Sequence, residues 1–168
     1  MDLRSDPTEQ RVIDAVSATG SSFSIIDCDP ERADTAAFCE AYGFSLADSA
    51  NTILVATKEA EPRVVACVVL ATHRLDVNGI VRKRLEARKV SFAPADMTSE
   101  LTGMVMGGVT PFGLPDSIPV WVDEVVLGRD RVVVGGGSRS MKVTCAPEVL
   151  TKLSQCEVVS GLARPVDG

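Results

Sequence analysis

At 168 residues, 45% of them hydrophobic and only 4% aromatic, the chain has the length of one domain, 1–168, able to bury roughly 70% of its unfolded surface in a core of Val, Ala, Leu and Ile. A net charge of −6 sets the whole-molecule field against a phosphate backbone, so any nucleic-acid contact has to be local and sequence-specific DNA binding is not expected. The longest apolar run, residues 64–71, falls far short of the ~20 residues of a membrane span, and MDLRSDPTEQ lacks a signal-peptide core, so a cytoplasmic protein without a membrane partner is expected.

In chain order, Asp6, Pro7 and Glu9 supply a cap, a first-turn proline and a capping-box acid for a helix within residues 1–20, whose Val12, Ile13 and Val16 recur at helical spacing. Residues 23–28 read as a strand. Asp29-Pro30 opens a second helix that continues through Ala33, Ala36, Ala37, Phe38 and Ala41 to Gly43. Two β-branched runs, residues 52–56 and 64–70, flank the polar KEAEPR and predict a hairpin.

Asp76 is placed to cap a helix bearing Val77, Ile80, Val81 and Leu85, with Arg82, Lys83, Arg84, Arg88 and Lys89 on its other side. That basic cluster fits either a solvated helix face or a local contact with an anionic partner. A strand over 90–93 and a short helix over 95–101 lead into TGMVMGGVTPFGLP, residues 102–115, which packs four glycines and two prolines into one loop. Strands over 119–122, 131–134 and 141–145, a helix over 147–153 and a strand near Val158 complete the pattern. Without a regular βαβ period, the expected class is α+β, a single compact domain with a mixed, largely antiparallel sheet flanked by helices.

The chemistry-bearing residues are few. His73 is the only histidine, so nucleophile–histidine mechanisms would all have to be built around it, and a surface role fits it equally. Cys28, Cys39, Cys67, Cys145 and Cys156 are odd in number and contain no C-x-x-C pair, the pattern of buried free thiols rather than a disulfide or zinc framework. No metal or cofactor is expected. Neither glycine segment, 103–113 or GGGSR at 135–139, has the Walker spacing or a following helix that phosphate cradles use. Two readings remain for them, tight turns between strands or main-chain N–H groups aimed at an oxygen that turns negative during acyl transfer.

Taken in order, LDVNGIVRKRLEARKVSFAPAD at 75–96, TGMVMGGVTPFG at 102–113, VDEVV at 122–126 and VVVGGGSRSMKV at 132–143 resemble the YbaK/EbsC family, whose fold also forms the editing insertion of bacterial prolyl-tRNA synthetases. The resemblance is strongest over 47–153. It implies a bifurcated mixed sheet and a free-standing, trans-acting hydrolase of mischarged aminoacyl-tRNA, typically tRNA for proline carrying alanine or cysteine. Its partners would be the tRNA acceptor end and an aminoacyl-tRNA synthetase. By the same resemblance Gly107 and Gly108 serve catalysis, the latter through backbone donors; Thr52, Val109, Thr110, Pro111, Gly136, Gly137 and Arg139 bind substrate, Arg139 at a phosphate; and Arg82, Arg84 and Arg88 touch tRNA.

Two departures stand out. Asn51 occupies the position of the family's characteristic lysine, and Ser138 and Ser140 replace lysine and glycine. Asparagine offers a neutral amide where lysine offers a charge. Either Asn51 serves the reaction in another way, or a different cation such as Arg139 or Lys142 substitutes, or the chain is a non-catalytic binding module for an aminoacyl or nucleotide ligand.

Overall fold

The central strand is written in the sequence as VVACVVL, an uninterrupted apolar run, and the computed structural model, which describes residues 4–166, shows why. Strand β3 (Val64–Leu70) lies inside a five-stranded sheet ordered β5-β2-β3-β6-β9, where β2 is Ala50–Thr57, β5 Val90–Phe92, β6 Val120–Asp123 and β9 Cys156–Val159. The β2–β3 and β2–β5 pairs are antiparallel, while β3–β6 and β6–β9 are parallel. Both faces of β3 are covered: Ala66, Val68 and Leu70 enter one apolar cluster, and Val65, Cys67 and Val69 enter another. A strand buried on both sides loses the apolar–polar alternation that one wet face would impose.

The first cluster is closed by helix α1 (Pro7–Ala18) and by a three-stranded antiparallel sheet ordered β1-β8-β7, with β1 Phe23–Asp27, β7 Val132–Gly135 and β8 Met141–Cys145. Asp6 caps α1 through the amides of Thr8 and Glu9, and Val12, Ile13 and Val16 are buried, as the spacing predicts. A parallel bridge from Ser49 to Val133 joins the two sheets at one end, so the sheet forks there. The second cluster is closed by residues 75–90 and by β4 (His73–Leu75) paired with β10 (Ala163–Pro165). Helix α4 spans Ala95–Thr102. Among the described residues no helix is long and apolar enough to cross a membrane. Residues 1–3 and 167–168 of the expected 1–168 domain lie outside the described residues.

The helix expected from Asp29-Pro30 is broken in two. A 3-10 turn, Pro30–Arg32, precedes helix α2, Thr35–Tyr42, which ends at Gly43 with φ 77°. The Pro30 carbonyl accepts from Arg139 Nε and the Ala33 carbonyl from Lys142 Nζ, so acceptors that would continue the helix are taken by distant side chains. Asp76 caps the segment through the Gly79 amide at 2.9 Å, as expected, but residues 77–84 form a wide π turn (Val77–Val81), with the Val81 amide on the Asp76 carbonyl at 3.1 Å, and a single α turn, α3 (Arg82–Arg84), instead of a regular helix. The segment expected as a helix over 147–153 is a run of 3-10 turns, Pro147–Lys152.

Asp123, at the end of β6, is 1% exposed, and neither carboxylate oxygen has a well-formed hydrogen bond among the described residues. Burial raises its pKa, with His73 and the nearby amides of Leu162, Glu124 and Ala163 pulling the other way. A carboxyl whose folded-state pKa is raised stabilises the fold below its unfolded pKa and loses that contribution as pH rises through the folded value. Asp123→Asn is therefore expected to melt above the wild type at pH 7, with the gain shrinking as pH falls toward ~4. A difference in Tm that stays constant between pH 4 and 7 contradicts this.

Candidate functional site

A cleft of about 340 Å³ opens where the two sheets diverge, between the start of α2, the first half of β2, the 103–113 loop and the β7–β8 turn. Its walls carry Asp34 and Thr35, the stretch from Ala50 to Ile53, Met106, Gly107, Val109, Gly135 and Lys142. Larger hollows beside Arg74 and Arg164, about 440 Å³, and beside Arg129 and Arg131, about 450 Å³, have no contribution from the glycine loops.

The loops themselves are held by main-chain contact. Val105 to Gly108 form a β-turn closed by the Gly108 amide on the Val105 carbonyl at 2.9 Å, with Gly107 at φ 87° in the third position, where glycine is favoured. The Gly108 carbonyl accepts the Gly137 amide at 2.6 Å. A Cβ on Gly108 would overlap the Ser138 backbone, and one on Gly135 would overlap the Val109 carbonyl. Helix α1 braces both loops: Glu9 accepts from the Ser138 hydroxyl, and Arg11 donates to the Thr102 and Gly113 carbonyls.

Of the residues singled out from the sequence, Asn51, Thr52, Gly107 and Val109 meet at the cleft, whereas Gly108, Thr110, Pro111, Gly136, Gly137 and Arg139 do not line it. Gly108 cannot offer its amide to an oxyanion without breaking the turn, because Val105 already takes it. Gly136 and Gly137 are buried, and the ideal Cβ of Gly137 would stand 2.9 Å from Thr8 of α1. A Cβ on Gly136 would meet the Met141 backbone and one on Gly137 the Thr8 and Val12 side chains, so the chain itself packs closely against both. Thr110 is fully buried and its hydroxyl has no partner among the described residues. Gly107 and Val109 do line the cleft, and their amides donate to no described group.

Arg139 is a latch. Its Nη1 reaches Asp34 Oδ1 and the Met106 carbonyl, both at 3.0 Å, and its Nε reaches Pro30. The hydrogen bond and charge of Arg139 hold the Asp34 carboxyl below its usual pKa, so a phosphate at Arg139 would have to displace a carboxylate. Lys142 is different. It is 7% exposed, and Nζ donates to the Ala33 carbonyl at 2.7 Å and the Gly107 carbonyl at 2.6 Å, with the Phe38 ring centroid 5.6 Å away. Burial lowers its pKa, an effect that Arg139 reinforces and that Cys28, Asp34 and Cys39 oppose. Thr35, which the sequence did not single out, donates its hydroxyl to Asn51 Oδ1 at 2.7 Å. With its oxygen so engaged, Asn51 turns the two N–H donors of its amide to other use.

No wall residue is a Ser, Cys or His. Cys28, the thiol that interacts with Lys142, is buried, and burial raises its pKa, which keeps it a thiol rather than a nucleophilic thiolate. His73 lies on β4 with Nδ1 3.0 Å from the Thr72 hydroxyl, away from the cleft walls. Among the described residues no cluster of three or more His, Cys, Asp or Glu is arranged to hold a metal ion.

The basic cluster sits at the other end of β2, since Thr57 pairs with Val90, six residues and roughly 20 Å along the strand from Asn51. Arg84 there stacks on Trp121 and pairs with Glu157, and Arg82 bonds the Asn78 carbonyl, while Arg88 and Lys89 are exposed. Of the cluster, Arg84 has a carboxylate partner in Glu157, and none of its residues lines the cleft.

The sequence model of a family described as an aminoacyl-tRNA editing domain matches residues 29–153, which takes in α2 and every wall of the cleft. A candidate Cys-tRNA(Pro)/Cys-tRNA(Cys) deacylase from Enterococcus faecalis, EbsC, is 26% identical over 90 residues, so the aligned part spans about half of each chain, 54%. Among solved structures, a candidate trans-editing enzyme for prolyl-tRNA synthetase superposes with a TM-score of 0.80 at 21% identity, over 98% of this chain and 100% of that one. A hypothetical protein superposes with a TM-score of 0.81 at 25% identity, over 92% and 99%. These neighbours share the α+β fold with its forked mixed sheet.

The crossing of the glycine loops makes a stability prediction. Gly108→Ala forces a methyl into the Ser138 backbone and is expected to cost about 1–3 kcal/mol in denaturant unfolding. Gly128→Ala, where a Cβ meets nothing within 4 Å, should stay within about 0.5 kcal/mol. Equal effects of the two substitutions would remove the loop contact as an explanation for the glycines.

Proposed function

Because the chain belongs to the aminoacyl-tRNA editing domain family, we propose that it hydrolyses the ester of a mischarged aminoacyl-tRNA in this cleft, acting on the tRNA in trans and using water as the nucleophile. The observation that carries the reading is the combination of a buried ammonium, an amide side chain and unpaired main-chain donors around one cleft whose walls lack a Ser, Cys or His. The two threonine hydroxyls on those walls, Thr35 and Thr52, have no histidine beside them to act as a base, and Thr35 is committed to Asn51, while the cleft has donors for the carbonyl oxygen as it gains charge.

The substrate enters as a 3′-terminal adenosine carrying the amino acid. Thr35 holds Asn51 in one orientation, so the Asn51 amide can donate to the ester region without spending binding energy on ordering its own side chain. Exposed Met106, at 52%, provides an apolar edge at the mouth against which a base can rest. The names carried by the EbsC relative and by the trans-editing structure make tRNA for proline bearing cysteine the first substrate to test, and the family resemblance adds the same tRNA bearing alanine. In this reading the exposed cations Arg88 and Lys89 follow the acceptor stem, and a synthetase is the second partner.

A second reading rests on one observation, the neutral Asn51 at the family lysine position. A cleft of this shape without turnover would be a binding module for aminoacyl or nucleotide ligands. The two separate in one experiment. Purified protein incubated with a panel of mischarged tRNAs is expected to release the amino acid from at least one, and Asn51→Ala is expected to slow that release by roughly 10- to 100-fold, the value of one hydrogen bond to a charged centre. Binding of a non-hydrolysable aminoacyl-adenosine with no release from any tRNA would favour the binding module instead.

A further inference from the structure

Lys142 is the one cation on the cleft walls that no carboxylate neutralises by direct contact. Asp34, the acid of the walls, is committed to Arg139. An ammonium has three donors, and two of them are fixed by the Ala33 and Gly107 carbonyls at 2.7 and 2.6 Å. These lengths are those of charge-assisted bonds, in which a cation donates to oxygen. Carbonyl acceptors orient the charge without cancelling it. The third donor is left for the cleft, and at 7% exposure water screens it little.

Given that arrangement, and resting on the deacylase reading above, we infer that Lys142 is a catalytic residue that supplies the positive charge which Asn51 cannot, by donating its third N–H to the ester carbonyl oxygen as that oxygen becomes an anion. The water oxygen attacks the carbonyl carbon, and the C=O π pair moves onto the oxygen facing Lys142. That pair then re-forms the double bond, the bond from carbon to the ribose oxygen breaks, and the ribose oxygen takes up the proton lost by the water. The products are the free amino acid and the tRNA hydroxyl. The charge thus approaches from strand β8 instead of strand β2, and the carbonyl of Gly107 that aims it belongs to the same turn that walls the cleft.

The Lys142 contacts also tie the start of α2 to the glycine loop, so loss of activity in a Lys142 variant does not by itself distinguish chemistry from structure. The discriminating measurement is binding of two non-hydrolysable 3′-acylated adenosines, a neutral carboxamide and an anionic tetrahedral phosphonate. Wild type is expected to prefer the phosphonate by roughly 10- to 100-fold, the range for one hydrogen bond to a charged group. Lys142→Met should abolish the preference while carboxamide affinity changes by no more than about threefold, and Lys142→Arg should keep part of it. Equal weakening of both ligands in Lys142→Met, an undiminished preference, or no measurable binding of either ligand by wild type would overturn the assignment. Wild type that shows the preference but releases no amino acid from any tRNA refutes the deacylase reading and leaves Lys142 as the anion-holding residue of a binding module.

Discussion

The site depends on two loops that cross at backbone distance. Gly108 lies against Ser138, Gly135 against Val109, and the Gly108 carbonyl takes the Gly137 amide. A side chain at either crossing point would push the loops apart by the width of a methyl group. The wall between the 105–110 turn and the end of β7 would then lose its shape, because main-chain atoms cannot move aside as the end of a flexible side chain can. The crossing also leaves the Gly107 carbonyl facing Lys142, which places a cation in the cleft without a carboxylate to neutralise it. Loop geometry and electrostatics are therefore one constraint.

That constraint explains why residues 4–45 are not an appendage. Helix α1 supplies Glu9 and Arg11 as braces for the two loops and Val12, Ile13 and Val16 to the core beneath them. The Pro30–Tyr42 region supplies the Ala33 carbonyl to Lys142, the Pro30 carbonyl and Asp34 to Arg139, and the Thr35 hydroxyl to Asn51. Phe38, buried at 1% exposure, backs the cleft beside the Lys142 ammonium. Removing this segment would strip four polar partners from Lys142, Arg139 and Asn51 at once.

Much of the fold was legible because local signals and tertiary demands agree. The capped α1, the β2–β3 hairpin, β8 and the stop at Gly43 all follow from caps, β-branched runs or a glycine in the left-handed region. The failures lie where a distant side chain overrides local preference. Arg139 and Lys142 draw off carbonyls that would have carried one helix from Pro30 onward. Strands β4 and β10, three residues each, were missed because a pair that short carries no alternation to read. Of the residues expected at the site from the family resemblance, Asn51, Thr52, Gly107 and Val109 line the candidate cleft. Thr35 was not among those expected, since it lies before the segment where that resemblance is strongest. At Gly136 and Gly137, expected to bind substrate, the groups packed closest are those of the chain itself, while Gly135 lines the cleft.

The central claim is that the cleft between β2, β8 and the 105–110 turn receives the aminoacylated 3′ end with its carbonyl oxygen toward Lys142 and Asn51. A crystal structure with a non-hydrolysable 3′-aminoacyl-adenosine tests it most directly. The account requires that oxygen within hydrogen-bond distance, about 2.7–3.2 Å, of Lys142 Nζ or the Asn51 amide nitrogen, with Arg139 still on Asp34. A ligand seated in another hollow, or one that displaces Asp34 from Arg139 and leaves Lys142 untouched, would contradict it.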